Sequence, residues 1–216
     1  NTTGEYNVAV GRQPLNFNTT GTMNIAIGRQ AMYCNTDGHC NNAIGTYALY
    51  CNTEGDFNQA FGHSALYCNR TGHYNSAIGY QSLYCANSGE HNNALGLGTL
   101  YSNYGGHYNT AIGRQALYSN TTGCCNEAIG YRALYQNTTG CCNVAIGRQA
   151  MYNHKTSCSN VGIGNSTLYN AKSVVLFRKE QRPIPTLLTP PQFSYNTHSP
   201  IPTLHPPDFA LYKVEL

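Results

Sequence analysis

Apolar and polar positions recur along this chain with a fixed spacing of seventeen residues. A unit opens on Asn, carries Ala at its third position, an apolar residue at its fourth and Gly at its fifth. It then carries Leu or Met at its ninth position and Tyr at its tenth, and ends in an Asn-Thr-rich stretch with a second Gly at its fifteenth. Units begin at Asn7, Asn24, Asn41, Asn58, Asn75, Asn92, Asn109, Asn126, Asn143 and Asn160, with no insertion or deletion between them. The copy from Asn109 to Cys125 displays the ladder residues most cleanly: Asn109, Ala111, Ile112, Gly113, Leu117, Tyr118 and Gly123. A short invariant period marks a solenoid, in which each repeat buries its apolar face only against the next. Two glycines per unit and the Asn-Thr break argue against a helical coil. Seventeen residues leave room for two short strands, predicted at positions two to four and eight to ten, joined by two turns. In the NTTG turn, Asn and Thr are expected to bond local backbone and Gly to take a positive φ.

Successive residues of a strand face opposite sides. Ala at three and Ile at four therefore point apart, as do Leu at nine and Tyr at ten, and all four positions are nearly fixed. Two regular faces suggest that a neighbouring chain covers the second one, giving a homo-oligomer. The alternative is an exposed, flat Tyr and Ala ladder. The expected fold class is all-β: a parallel β-solenoid (β-roll) of ten 17-residue coils over residues 1–173. At one strand spacing per coil the array would extend roughly 45–50 Å.

The pattern fades at its end, where Ser157 and Val174 replace the Gly of position fifteen. Residues 174–216 form a Pro-rich irregular tail with eight of the nine prolines between Pro183 and Pro207, and PIPTL occurs twice. Proline at that density removes ladder donors and favours extended geometry. A linker or tail is the expected role, with a recognition segment or an artificial end as alternatives. The opening NTTGEY matches the last positions of a unit, so the chain is expected to begin inside its array.

Only 10% of the residues are charged and the net charge is +3, too weak a balance to favour nucleic acid or an acidic membrane surface. No run of eighteen apolar residues occurs, so no membrane insertion is expected. Nearly every polar residue is a variation on a repeated position, and no catalytic constellation breaks that symmetry. The expectation is a protein that is not an enzyme, without a cofactor or a metal.

Several rows could carry chemistry. Cys34, Cys51, Cys68 and Cys85 share position eleven; Cys124 and Cys141 share position sixteen; Cys125 and Cys142 share position seventeen. Equivalent residues of adjacent coils fall within the Cα range of a disulfide, so staples such as Cys34–Cys51 and Cys68–Cys85 are expected, with Cys124, Cys125, Cys141 and Cys142 as a second cluster. Free thiols and a zinc cluster are the competing readings. Position sixteen reads His39, Asp56, His73, Glu90, His107, either a solvated row of opposite-sign neighbours or a divalent-metal row. Arg12, Arg29, Arg114 and Arg148 make a broken basic stripe at position six, a solubilising edge or a reader of acidic glycans. Glycosylation sequons include Asn18, Asn69, Asn120 and Asn137, mostly within the NTT turn.

The N-x-A-I-G core resembles the head repeats of YadA-like trimeric autotransporter adhesins. The longer NTAIGxxALYxNTTG form resembles arrays in phage-type tail fibres. The adhesin head repeat is usually shorter than seventeen, and the coiled-coil stalk and membrane anchor of that family have no counterpart in this sequence. The resemblance covers residues 1 to about 173 and implies a left-handed parallel β-roll, three chains side by side and a role in attachment. It implies an extracellular, cell-surface or virion-fibre location. The expected function is a structural and adhesive fibre or head module that presents repeated turns to a surface or to glycans. Two alternatives are a filament subunit stacking end to end, and an ice-binding solenoid using Thr19, Thr36, Thr53, Thr121 and Thr138 at position thirteen. The expected partners are further copies of the chain, as trimer or filament, and surface glycans.

Overall fold

A computed structural model of the chain describes residues 2–170. The fold is an all-β parallel solenoid. One three-residue strand lies in each repeat: β1 (Val8–Val10), β2 (Ile25–Ile27), β3 (Asn42–Ile44), β4 (Gln59–Phe61), β5 (Ser76–Ile78), β6 (Asn93–Leu95), β7 (Thr110–Ile112), β8 (Glu127–Ile129), β9 (Val144–Ile146) and β10 (Val161–Ile163). Sheet order equals chain order, and every pairing is parallel with equivalent repeat positions opposite one another, such as Ala26 with Ala43 and Ile27 with Ile44. There is no helix among the described residues. The Pro-rich stretch over 174–216 lies outside the described residues.

The first predicted strand forms where the alternation placed it, and the structure chooses its inner face. Ala26, Ala43, Ala60, Ala77, Ala111, Ala128 and Ala145 are fully buried, while the apolar residue at position four points outward. A coil of seventeen residues is narrow, and where strand meets turn its interior has room for a methyl group rather than a branched chain. The larger core side chain comes from position nine: Met32, Leu49, Leu66, Leu83, Leu100, Leu117, Leu134 and Met151 are all fully buried. Ala31, Ala48, Ala65, Ala116, Ala133 and Ala150, at position eight, complete the core.

Positions eight to ten are not a second strand. Position nine takes a left-handed backbone, with φ of 50° at Met32 and Leu117, and position seven does the same, with 52° at Gln30 and 58° at Gln115. Two left-handed residues, one apart, fold this segment into a double turn that drives the position-nine side chain inward. For a non-glycine residue such geometry costs of order 1 kcal/mol or more and persists only where its surroundings hold it. Here the backbone bonds to the next coil do so, with Met32 N–H donating to Ala48 O at 2.9 Å and Leu117 N–H to Ala133 O at 2.9 Å.

The two recurrent glycines have different reasons. Gly113, at position five, has φ of +118°, and a Cβ there would sit 2.7 Å from the Gly130 carbonyl oxygen. Gly123, at position fifteen, lacks the expected positive φ. It is glycine because the space is taken: a Cβ would meet Asn120 Oδ1 at 2.4 Å and Gly140 O at 2.5 Å.

That space is taken by two asparagine ladders. At position one, Asn24 N–H donates to Asn7 Oδ1 at 2.9 Å, Asn41 N–H to Asn24 Oδ1 at 3.0 Å, and so on to Asn160. At position twelve, Asn35 Nδ2 donates to Asn18 Oδ1, Asn52 Nδ2 to Asn35 Oδ1 and Asn69 Nδ2 to Asn52 Oδ1, at 2.7–2.8 Å. Both ladders also donate to the carbonyl of the position-fifteen glycine, as Asn109 Nδ2 (2.8 Å) and Asn120 Nδ2 (2.9 Å) do to Gly123 O. A buried amide needs such partners to offset its desolvation. The position-twelve ladder has two gaps. Ala86 and His154 replace Asn, and Asn69 Oδ1 and Asn137 Oδ1 are left buried without partners.

Candidate functional site

Side chains that leave the coil do so in rows, and each row repeats one chemistry at the strand spacing. The most continuous is the outer face of the sheet. Ile27, Ile44, Ile78, Leu95, Ile112 and Ile129 are 36–46% exposed, and Val10 and Ile163 at the ends are 55% and 65% exposed. Phe61 and Ile146 are half-buried in the same line. No charged or polar residue interrupts position four in ten coils.

A second row lies at position ten. Tyr33, Tyr50, Tyr67, Tyr84, Tyr101, Tyr118, Tyr135, Tyr152 and Tyr169 stack in series, with centroids 4.9–5.2 Å apart and planes within 1–11° of parallel. Each inner ring is covered on both faces by its neighbours. The stack therefore offers edges and hydroxyls to its surroundings, not ring faces. Burial pushes the Tyr67 hydroxyl up to about 12, which keeps it neutral.

A third surface combines positions sixteen and seventeen. Phe57, Tyr74, His91 and Tyr108 stack at 4.9–5.0 Å, and Phe57, Tyr74 and Tyr108 are exposed. Beside them runs the His and carboxylate row. Thr22 N–H donates to His39 Nδ1 (3.0 Å), His39 N–H to Asp56 Oδ1 (2.7 Å), Asp56 N–H to His73 Nδ1 (3.0 Å) and Glu90 N–H to His107 Nδ1 (3.2 Å). Further along, Cys124 N–H meets Cys141 Sγ at 3.3 Å and Cys141 N–H meets Cys158 Sγ at 3.1 Å. What unites His39, Asp56, His73, His107, Cys141 and Cys158 at position sixteen is an acceptor atom that caps the backbone N–H of the preceding coil. The charge alternation is secondary, although His73 Nδ1 and Asp56 Oδ2 approach to 3.6 Å. The acceptor requirement was legible in the shared chemistry of the row, and charge alone obscured it. Among the described residues no group of three or more His, Cys, Asp or Glu is disposed to hold a metal ion.

The remaining candidate residues are placed as follows. All ten cysteines are free thiols, so the expected staples at Cys34–Cys51, Cys68–Cys85 and the cluster of Cys124, Cys125, Cys141 and Cys142 are absent. In a parallel ladder equivalent Cβ atoms run side by side at the strand spacing, slightly wider than the roughly 3.8 Å of a disulfide, so joining two rungs requires a small backbone shift as well as a rotamer change. Cys124 Sγ approaches Cys141 Sγ to 3.1 Å without a bond between them. Asn18, Asn69, Asn120 and Asn137 are rungs of the buried ladder, 0–2% exposed, with the amide nitrogen already donating. A glycan on that nitrogen would break the coil, so the folded chain presents no acceptor at these four positions.

The position-thirteen hydroxyls are engaged along the stack rather than left free. Thr19, Thr36, Thr53, Thr121 and Thr138 each donate to the carbonyl of the next coil at 2.8–3.1 Å. Of the position-six arginines, Arg29 packs over the Tyr47 ring at 5.5 Å.

These features define a parallel β-solenoid whose outer surface is a set of rows. Compared with protein-family models, with curated proteins and with solved structures, the chain has no match.

Proposed function

We propose that this chain is a structural and adhesive rod module, acting outside the cell or on a virion as a homo-oligomer, with the trimer as the expected state. The apolar stripe of position four would lie between copies, and the outer rows would be presented to a surface or its glycans. The observation that carries this reading is the stripe itself. Its exposed apolar surface is on the order of 700 Å² per chain, against roughly 800 Å² per partner in a standard interface. An uninterrupted apolar patch of that size on a folded protein marks an interaction site. A second copy is commensurate with it, because both stripes step by the same coil spacing. Repetition supports attachment as well: a weak contact made once per coil gains strongly from being made many times together.

The test is the association state of the purified full chain, by light scattering with negative-stain imaging, followed by a glycan array on the assembled species. Discrete trimeric rods that bind glycans support the reading. Open-ended filaments would replace it with end-to-end assembly. A monomer at micromolar concentration would overturn the oligomeric interface.

A further inference from the structure

Four consecutive coils carry a cysteine at position eleven: Cys34, Cys51, Cys68 and Cys85, all half-buried. Their backbones are held in strict register, since each N–H donates to the position-ten carbonyl of the next coil (Tyr50, Tyr67, Tyr84 and Tyr101) at 2.9 Å. The thiols therefore stack about one strand spacing apart, roughly 4.8 Å. Cys51, Cys68 and Cys85 open into a cleft of about 360 Å³ completed by Arg70, Asn87 and Tyr104. This row thus has both a cleft and a cation.

Cys68 holds the central place. A thiol stands on each side of it, at Cys51 and Cys85, and the Arg70 guanidinium belongs to the same cleft. The neighbouring Cys51 and Cys85 thiols, with the Arg70 charge in support, hold the Cys68 thiol below the ordinary thiol range. Cys51 and Cys85 are pushed in the opposite direction, by their interaction with Cys68 and by burial. The thiolate is the reactive form, and a cationic, partly open setting is what makes one cysteine react ahead of others.

We propose that Cys68 is a nucleophilic thiolate flanked by two resolving thiols, and that its cleft takes small anionic disulfides. The Cys68 thiolate attacks one sulfur of the disulfide RSSR, forms Cys68–S–S–R and releases RS⁻. The Cys51 or Cys85 thiol then attacks the Cys68 sulfur, its proton passing to the departing RS⁻. A disulfide joins two coils, and the second RS is released as RSH. Two protein thiols are oxidised and one RSSR is reduced to two thiols, the stoichiometry of ordinary thiol–disulfide exchange. Arg70 attracts the anionic reagent, and the ladder supplies a resolving partner on either side.

The test uses the reduced full chain and two anionic reagents, glutathione disulfide and the aromatic disulfide DTNB, at pH 6, with peptide mass mapping over time. Cys68 is expected to be modified at least tenfold faster than the exposed cysteines Cys125, Cys142 and Cys158. The mixed disulfide is then expected to give way to Cys51–Cys68 or Cys68–Cys85. Cys68→Ser should remove the fast phase, Arg70→Gln should slow it several-fold, and the Cys51→Ser, Cys85→Ser double variant should stop at the mixed disulfide. The unmutated chain decides the matter even where a variant misfolds. Modification of Cys68 at or below the rate of the exposed cysteines overturns the proposal, and so does a mixed disulfide that never resolves.

Discussion

Replacing Ala86 by Asn should stabilise this protein, against the usual outcome of placing an amide in a core. The position-twelve ladder runs through Asn18, Asn35, Asn52 and Asn69, stops at Ala86, resumes at Asn103, Asn120 and Asn137, and stops again at His154. Wherever it is intact, Nδ2 donates to the preceding Oδ1 at 2.6–2.8 Å and to the glycine carbonyl of its own coil at 2.9–3.1 Å. At the gap Asn69 Oδ1 is buried with no partner. A buried orphan of this kind costs about 1–3 kcal/mol. Asn at 86 would donate to that oxygen and to Gly89 O, and would accept from Asn103 Nδ2. The two additional bonds contribute about 0.5–1.5 kcal/mol each. Desolvating and ordering the new amide takes back of order 1–2 kcal/mol. The net expectation is a gain of about 1–3 kcal/mol.

Urea denaturation followed by circular dichroism, with amide exchange over coils four to six, measures this gain. Exchange is needed because a repeat array can open locally without unfolding as a whole. Asn120→Ala is the converse control: it orphans Asn103 Oδ1 and should cost about 2–4 kcal/mol. An Ala86→Asn chain that is folded but no more stable, or less stable, would refute the view that the amide ladder is a net stabilising element.

His154 should make the protein acid-sensitive. Its ring is buried with neither nitrogen partnered, and burial lowers its pKa from the ordinary 6.5, the Leu168 backbone opposing in part. Below about pH 6.5 the unfolded chain takes up a proton that the folded chain resists. Stability is therefore full above that pH and declines as pH falls through it. Melting temperatures at pH 8 and pH 5 should differ more in the parent chain than in His154→Asn, which also gives Asn137 Oδ1 a donor. Gly123→Ala should cost at least about 3 kcal/mol although φ is not at issue there, because the new methyl meets backbone and a fixed amide; the midpoint of chemical unfolding measures it. Leu95→Asp places a charge on the exposed stripe, 46% exposed, and should leave the dichroism spectrum intact while abolishing association in light scattering. A variant that still assembles would exclude position four as the interface.

Much of this architecture is written in the period. Seventeen-residue spacing dictates stacking. The Ala-Ile-Gly run places one strand per coil and turns Ala and Ile to opposite faces, as the structure shows. Glycine at position five is required by a backbone angle that other residues adopt only with strain. The strand and the glycine are local properties, so a single unit suffices to reveal them. What remained hidden depends on the coil above or below. Leu117 and Gln115 adopt left-handed backbones that neither residue prefers, because inter-coil bonds and a buried leucine side chain repay the strain, and a propensity reading turns that segment into a strand. Asn120 is a sequon by pattern and a buried rung by position. Gly123 is glycine because the neighbouring coil's carbonyl fills its Cβ site. His39, Asp56 and Cys141 look chemically unlike one another until the N–H they cap is in view. The sequence by itself determined the repeat, the strand and its two faces. Only the stacking of one coil on the next decided which polar atoms are buried, which thiols share a cleft and which apolar row is left uncovered, because each depends on atoms seventeen residues away.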